Sequence, residues 1–207
     1  MPLSSFRYFL LNKPYGMESQ FVSPYAGPLL GDLSFDFPEG IHAIGRLDKH
    51  SEGLLLLTTN KKVTSLLFQG KVKHKRTYQV QVKHVITEES LCQLRTGIPI
   101  RIKGGAYYTT PPCEVALAQN PQPLFPSPVT FHANQATSWL QITLTEGKYH
   151  QVRKMVAKAG HRCLRLIRVS IEDLLLGDLE PGKIIEIDES AFFDQLKLDR
   201  SSIDNLI

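Results

Sequence analysis

The feature that most constrains the fold is a polar segment bounded by glycines that leads directly into four consecutive leucines. Residues 45–53 read Gly-Arg-Leu-Asp-Lys-His-Ser-Glu-Gly and precede the run Leu54–Leu57. The leucines predict a buried strand, and the glycines permit backbone angles that other residues resist. Such a loop would hold Asp48 beside the core without burying it. By composition alone, an ordinary turn aspartate bonded to its own backbone is the stronger interpretation of this residue.

Elsewhere the chain is dominated by short strand patterns. Residues 77–82, Thr-Tyr-Gln-Val-Gln-Val, are a clear case because one face is apolar and the other polar. Helices are predicted over 61–68, 87–95 and 148–159. Thr87 and Gly97 suit an N-cap and a position just beyond a helix end. Because strands outnumber helices and the two do not alternate regularly, we predict an α+β fold with a mixed, mostly antiparallel sheet. Residues 120–136, with four prolines, predict a long loop.

The charge is distributed unevenly along the chain. The formal net charge is +4, but residues 1–171 carry +11 and residues 172–207 carry −7. Two stretches, 61–83 and 147–171, each contain seven lysines or arginines and no acid. One basic run usually marks a solvated face, whereas two in a small protein make a polyanionic partner an equally good interpretation.

Motifs of several familiar enzyme classes are missing from the sequence. It has no G-x-x-x-x-G-K-[ST] phosphate loop, no G-x-G-x-x-G dinucleotide turn and no G-x-S-x-G nucleophile elbow. The seven histidines are scattered without ligand spacing, so we expect no metal site. The chemistry is therefore expected to rest on side chains alone.

The cysteines and the N-terminus bear on the compartment. Cys92, Cys113 and Cys163 are odd in number and widely spaced, which predicts no disulfide framework and suits a reducing environment. A secretory signal pattern and a membrane-length apolar run are both lacking. We expect a cytoplasmic location.

Two further segments place polar residues next to predicted strands. Residues 144–155, Leu-Thr-Glu-Gly-Lys-Tyr-His-Gln-Val-Arg-Lys-Met, pass from a strand into a basic helix, for which an amphipathic surface helix is the ordinary interpretation. Residues 75–78, Lys-Arg-Thr-Tyr, open an alternating strand. A tyrosine at such a position more often belongs to a core than to a catalytic site.

Taken together, these segments resemble the pseudouridine synthases of the RsuA family, named after a synthase that modifies the RNA of the small ribosomal subunit. The family pattern G-R-L-D-x-x-[ST]-x-G-L-L-[IVL]-[LT]-T-N matches residues 45–60 nearly throughout. Its other elements, N-K-P, K-x-Y, L-x-E-G-[RK]-x-[HR]-Q-[IV]-[RK]-[RK]-M and L-x-R-[IVL], match residues 12–14, 75–78, 144–155 and 164–168 in family order. Within the family the chain resembles the short synthases of type E, which lack an N-terminal RNA-binding domain and act on 23S rRNA.

The resemblance implies roles for particular residues. Asp48 would be the essential carboxylate, acting on either the ribose or the base of a flipped uridine. Arg153 would pair with Asp48 and keep it ionised, and Tyr78 would stack on the uracil ring and help to remove the C5 proton. Arg46 would occupy the space that the uridine vacates. The residues implied in RNA binding are Arg46, Lys13, Lys75, Arg76, Lys148, His150, Gln151, Lys154 and Arg165.

The resemblance thus predicts an enzyme that isomerises a specific uridine of rRNA to pseudouridine. The expected substrate is 23S rRNA. It implies a pseudouridine synthase fold whose two subdomains flank a catalytic cleft, with no cofactor or metal. Residues 1–190 would form the catalytic domain and residues 191–207 an acidic C-terminal tail. Ribosomal RNA would be the partner of a monomer that does not bind membranes.

Three alternatives stay open on the sequence. A non-catalytic rRNA-binding or ribosome assembly factor explains the charge but not the Gly-Arg-Leu-Asp segment. A synthase acting on 16S rRNA would carry the same motifs. A methyltransferase or nuclease is disfavoured because the sequence has neither a dinucleotide-type glycine turn nor a cluster of metal-binding carboxylates.

Overall fold

The computed structural model describes residues 6–69, 72–102, 104–118, 125–127 and 136–200. The chain divides into two compact units: unit 1 comprises Met1–His74 and Val169–Ile207, and unit 2 comprises Lys75–Arg168. Apart from residues 125–127 and 136, the loop predicted over 120–136 lies outside the described residues.

Short strands make up most of the regular structure, and helices are fewer. The strands are β1 (Tyr8–Lys13), β2 (His42–Ile44), β3 (Glu52–Thr58), β4 (Arg76–Lys83), β5 (Pro99–Arg101), β6 (Tyr107–Thr109), β7 (Glu114–Leu117), β8 (Thr137–Leu144), β9 (Cys163–Ile171), β10 (Leu174–Leu175) and β11 (Ile184–Ile187). The helices are α1 (Lys62–Gln69), α2 (Glu88–Thr96), α3 (Gln151–Lys158) and α4 (Glu189–Gln195). The α+β prediction is confirmed.

In unit 1, β1 lies between β3 and β11 and pairs with both in antiparallel register, while β2 pairs with β3. All seven residues of β3 are buried. This burial explains why the leucines of β3 do not alternate with polar residues, since a strand covered on both faces needs apolar side chains on both. Glu52, the first residue of β3, is 5 % exposed and directly follows the Asp48 segment.

Unit 1 also contains the acidic C-terminal segment as far as residue 200. Helix α4 spans the boundary expected at residue 190, and Phe192 and Phe193 are fully buried in it. Their ring centroids lie 4.6 and 5.6 Å from that of Tyr8 on β1. Aromatic pairs at such distances contribute to a core. Residues 189–195 are therefore an integral part of the folded unit, although an acidic tail was expected from residue 191.

In unit 2, β4 and β8 pair along their whole lengths, from Arg76 opposite Leu144 to Lys83 opposite Thr137. Strand β7 flanks β8, and β9 flanks β4. The core of this unit consists of apolar side chains from the strands, α2 and α3, among them Val80, Leu140 and Met155. The Thr87 N-cap is confirmed, because its side chain accepts a hydrogen bond from the Ser90 amide at 3.2 Å.

Replacing Phe192 by Ala should lower the free energy of unfolding by about 3–5 kcal/mol, because it leaves a cavity beside Tyr8. Urea unfolding of the full chain would measure the change. Ile185→Ala on β11 is the control, since Ile185 is 48 % exposed and its truncation should cost about 1 kcal/mol or less. Equal shifts in the two variants would show that α4 does not pack on unit 1 in solution.

Candidate functional site

The segment around Asp48 is a tight loop between β2 and β3. Gly45 at the start of this loop and Gly53, the second residue of β3, have φ angles of +72° and +100°, in the range that L side chains rarely adopt. The Asp48 carbonyl accepts a hydrogen bond from the Ser51 amide at 2.9 Å, which closes a turn. Asp48 itself is partly exposed. The predicted roles of the two glycines and the placement of Asp48 beside the core both agree with this geometry.

One buried serine fixes the backbone immediately before Asp48. The Ser19 hydroxyl donates to the carbonyl of Leu47 at 2.8 Å and accepts from the amide of Leu47 at 3.0 Å. Ser19 is 3 % exposed and Leu47 is 6 % exposed, so water does not compete for these bonds. Both backbone polar groups of Leu47 are thereby satisfied by a single side chain.

The backbone immediately after Asp48 is fixed from the same segment. The amide of Gly16 donates to the carbonyl of Lys49 at 2.8 Å. The ammonium of Lys13, which is completely buried, donates to the carbonyls of Pro14 and Met17 at 2.8 Å and lies 3.4 Å from that of Lys49. Residues 13–19, here called the clamp segment, therefore hold the loop on both sides of Asp48. The burial of Lys13 favours this structural role over direct contact with a phosphate.

The surface of the loop is polar and partly aromatic. Arg46 is exposed, and the ring of His50 stacks on that of Tyr15 with centroids 5.0 Å apart. Lys49 is 3.9 Å from the carboxylate of Glu18, too far for a strong ion pair at an exposed site. Unit 1 thus presents a carboxyl group on a rigid loop, with an accessible guanidinium two residues before it.

In unit 2, Tyr78 on β4 forms a hydrogen bond with the guanidinium of Arg168 on β9. Tyr78 is half-buried and packs against the core, whereas Arg168 is 2 % exposed. Burial lowers the pKa of Arg168, and the hydrogen bond and the charge interaction with Tyr78 partly offset that effect. The arginine is therefore placed to fix the position of the tyrosine hydroxyl.

Arg168 is the functional candidate that the sequence reasoning missed. The L-x-R-[IVL] pattern was assigned to the run 164–168, with Arg165 as the arginine. The same pattern fits Leu166–Val169 without a gap, which would have selected Arg168. In the structure, Arg165 is buried and donates to the carbonyl of Phe125 at 2.9 Å, while Arg168 contacts Tyr78.

The residues before α3 form a second rigid loop, organised by Gln151. The Gln151 amide nitrogen donates to Glu146 at 2.7 Å, and its oxygen accepts from the Lys148 amide at 2.8 Å. The hydroxyl of Tyr108 donates to the same Glu146 carboxylate at 2.6 Å, and this hydrogen bond raises the pKa of Tyr108. Gln151 is 4 % exposed, so its position favours organising the loop over contacting RNA.

This loop also explains why α3 begins at Gln151 and not at residue 148, where the sequence predicted it. His150 has a φ angle of +56°, which lies in the left-handed region and is incompatible with a continuing α-helix. Residues 148–150 are consequently loop residues. Lys148 and Tyr149 are exposed, and His150 is partly exposed.

The other predicted RNA-binding residues of unit 2 differ in accessibility. Lys75 is exposed and forms an ion pair with Glu114 at 2.8 Å, whereas Arg76 is buried. Lys154 is partly exposed on α3. Arg153, predicted to be catalytic, is partly exposed, and its Nη1 lies 3.6 Å from the sulfur of Cys163. It lines a groove of about 430 Å³ together with Arg162, His161 and Cys163, and also Ala157 and Gly160.

The described residues contain no group of three or more His, Cys, Asp or Glu side chains that could hold a metal ion. No helix among them is both long enough and apolar enough to cross a membrane.

The sequence model of the RNA pseudouridylate synthase family matches residues 7–158 of the chain. Over 188 residues the chain is 39 % identical to ribosomal large subunit pseudouridine synthase E of Vibrio vulnificus, covering 90 % of this chain and 77 % of the relative. It is 38 % identical to the synthase of the same name from Xanthomonas axonopodis pv. citri, covering 83 % and 89 %. Identity to ribosomal small subunit pseudouridine synthase A of Yersinia pestis is 29 %, covering 86 % and 67 %.

Solved structures agree with this similarity. A crystal structure of a pseudouridylate synthase superimposes with a TM-score of 0.73 at 27 % identity, covering 95 % of this chain and 76 % of the other. The described chain therefore has the pseudouridine synthase fold.

Removing the Ser19 hydroxyl should destabilise the protein. Ser19→Ala leaves the amide and carbonyl of Leu47 buried without that partner, which should cost about 1–3 kcal/mol of unfolding free energy. Ser23→Ala is the matched control, because the Ser23 hydroxyl makes only an exposed bond to the Tyr25 amide and its loss should change stability by about 0.5 kcal/mol at most. Urea unfolding of both variants gives the comparison. Identical midpoints would show that the clamp segment does not hold the loop.

Proposed function

The chain belongs to the RNA pseudouridylate synthase family, and from this premise we propose that it isomerises a specific uridine of 23S rRNA to pseudouridine. The observation that carries the proposal is the Gly45–Gly53 loop, which matches the family pattern and presents Asp48 on a backbone fixed on both sides. A loop fixed in this way is what positioning of a reactive group requires.

The reaction balances without an oxidant or a reductant. The bond between N1 of uracil and C1′ of the ribose breaks, the base turns, and a bond from C5 to C1′ forms. The proton on C5 is lost and N1 gains one, so the product is an isomer of the substrate. Asp48 acts as the nucleophile, on the ribose or on the base, and is regenerated in the last step.

Tyr78 and Arg168 supply the second part of the proposed chemistry. The Tyr78 ring stacks on the uracil, and its hydroxyl takes part in removal of the C5 proton. Arg168 is a positioning residue, since it reaches the reaction through the Tyr78 hydroxyl. The expected role of Arg153, to keep Asp48 ionised, stays a prediction, as does insertion of Arg46 into the space left by the uridine.

The choice of 23S rRNA rests on the relatives. Those at 37–40 % identity carry the name ribosomal large subunit pseudouridine synthase E, whereas the relative named ribosomal small subunit pseudouridine synthase A is 29 % identical. RNA binding is assigned to the accessible cations, namely Arg46, Lys75, Lys148 and Lys154, which can neutralise phosphates. Of the buried predicted residues, Lys13 and Gln151 are assigned to holding the loops that carry Arg46 and Lys148, and Arg76 and Arg165 are not assigned to RNA contact.

Three further parts of the proposal concern the whole protein. We expect it to act as a monomer in the cytoplasm, and its three cysteines are free thiols, as a reducing compartment requires. Burial raises the pKa of Cys113 and of Cys163 to about 11, so these thiols stay protonated and unreactive at neutral pH. The catalytic domain is proposed to include the folded segment up to residue 200.

Replacing Asp48 by Asn should reduce pseudouridine formation by about 10³-fold or more, because the nucleophile is lost while the size of the side chain is kept. The measurement is site-resolved mapping of pseudouridine in 23S and 16S rRNA incubated with each protein. Asp178→Asn, at an exposed aspartate, is the control and should retain full activity.

The same experiment separates the competing functions. A wild-type protein that binds rRNA but forms no pseudouridine in either RNA would support the non-catalytic assembly factor. Modification confined to 16S rRNA would replace the proposed substrate. An active Asp48→Asn protein would remove Asp48 from the mechanism.

Replacing Tyr78 by Phe should slow release of tritium from uridine labelled at C5 by about 10²–10⁴-fold, the usual contribution of a positioned acid or base. RNA affinity should be retained, since the ring remains. Tyr107→Phe, at a tyrosine that is 75 % exposed, is the control with an unchanged rate. Wild-type tritium release from the Tyr78→Phe protein would show that the hydroxyl has no part in the chemistry.

A further inference from the structure

An exposed tyrosine occupies the loop before α3, and the proposed chemistry does not use it. Tyr149 is 67 % exposed and stands between Lys148 and His150. It belongs to the stretch 147–171, which contains seven basic residues and no acid. An aromatic ring left in water contributes nothing to the core, so its position in a basic loop suggests a ligand.

The ring of Tyr149 is held in a defined position. The imidazole of His150 stacks on it, with centroids 3.9 Å apart and an interplanar angle of 19°. The backbone of His150 is in the left-handed region at this point. The ammonium of Lys154 lies 5.1 Å from the centroid of the Tyr149 ring. Tyr149 nevertheless keeps two thirds of its surface exposed.

The loop that carries Tyr149 is itself rigid. Glu146 accepts hydrogen bonds from Gln151 and Tyr108, and Gln151 accepts one from the Lys148 amide. The ammonium of Lys148 lies over the ring of Tyr108, 5.0 Å from its centroid. The loop therefore loses little conformational entropy when its side chains bind a partner, which favours affinity.

An exposed ring with one lysine over it and another next to it in the chain has the chemistry of a single-stranded RNA contact. Bases in unpaired RNA stack on aromatic side chains, and nearby cations neutralise the adjoining phosphates. The target uridine must be enclosed for the reaction. The half-buried Tyr78 can contact an enclosed base, whereas the exposed ring of Tyr149 cannot enclose one. A base that stays at the protein surface suits Tyr149.

We propose that Tyr149 stacks on an unpaired base of the substrate RNA other than the target uridine, with Lys148 and Lys154 beside its phosphates. The proposal rests on the proposed function, since it names a further contact of the same substrate. It makes Tyr149 a residue for substrate binding and selection, separate from the chemical step.

The experiment uses the full chain, unmodified 23S rRNA transcript and three variants of Tyr149. Tyr149→Ala should raise KM for the transcript by about 5- to 100-fold with kcat nearly unchanged, the range expected for loss of one stacked base. Tyr149→Phe should retain wild-type KM, because the face of the ring is kept. Tyr149→Trp should retain binding, and its added fluorescence should be quenched by a single-stranded oligouridylate but not by a duplex of equal length.

Leu175→Ala is the control, because Leu175 is 65 % exposed in the acidic segment and its truncation should leave KM unchanged. Unchanged thermal unfolding of each variant excludes misfolding as the cause. Wild-type KM in Tyr149→Ala, or equal losses in the Phe and Ala variants, would overturn the proposal. A loss seen only with ribosomal proteins present would also overturn it, in favour of a protein contact.

The failure of this proposal and that of the proposed function are distinguishable. If the wild-type protein forms no pseudouridine in rRNA, the function is wrong, and the binding and fluorescence measurements still test the stacking contact. If the wild-type protein is active and Tyr149→Ala has an unchanged KM and binds the transcript equally well, only the stacking contact is wrong.

Discussion

The structure depends on how the backbone on either side of Asp48 is held. A carboxyl group on a loop can react with a defined geometry only if the loop has a single conformation. Here the clamp segment, residues 13–19, provides that restraint through Ser19 on one side of Asp48 and through Gly16 and Lys13 on the other. The bonds between Ser19 and Leu47 are buried, so water does not compete for them. The glycines at the two ends of the loop allow the turn that these bonds require.

The same physical solution recurs in unit 2 with different residues. Gln151 is buried and joins Glu146 to the backbone of Lys148, as Ser19 joins its own segment to Leu47. In both places a buried polar side chain holds the backbone of a loop, and the accessible side chains beside it are the ones proposed to act on the substrate. Residues that a motif contains therefore fall into two classes, those that hold a loop and those that the loop presents.

The sequence predicted the elements whose signals are local. The buried leucine strand, the Thr87 cap and the positive φ angles of Gly45 and Gly53 follow from residue type and immediate neighbours. Burial of a long cation does not, because Lys13 finds its acceptors in a turn and in a loop 36 residues away. Helix α4 was not predicted for a related reason, because Phe192 packs on Tyr8, which is distant in sequence.

The distinction between residues that hold a loop and residues that the loop presents also applies to RNA affinity and to the chemical step. The accessible basic residues of the loop before α3 lie in unit 2, whereas Asp48 lies in unit 1, whose C-terminal segment contains most of its acids. The logarithm of the RNA affinity falls linearly with the logarithm of the salt concentration, with a slope set by the number of phosphate contacts. The rate of the chemical step at a fixed carboxylate has no such dependence. Substitutions among the lysines should therefore change substrate affinity with little effect on the chemical step. Those in the clamp segment should act through the geometry of Asp48, independently of salt.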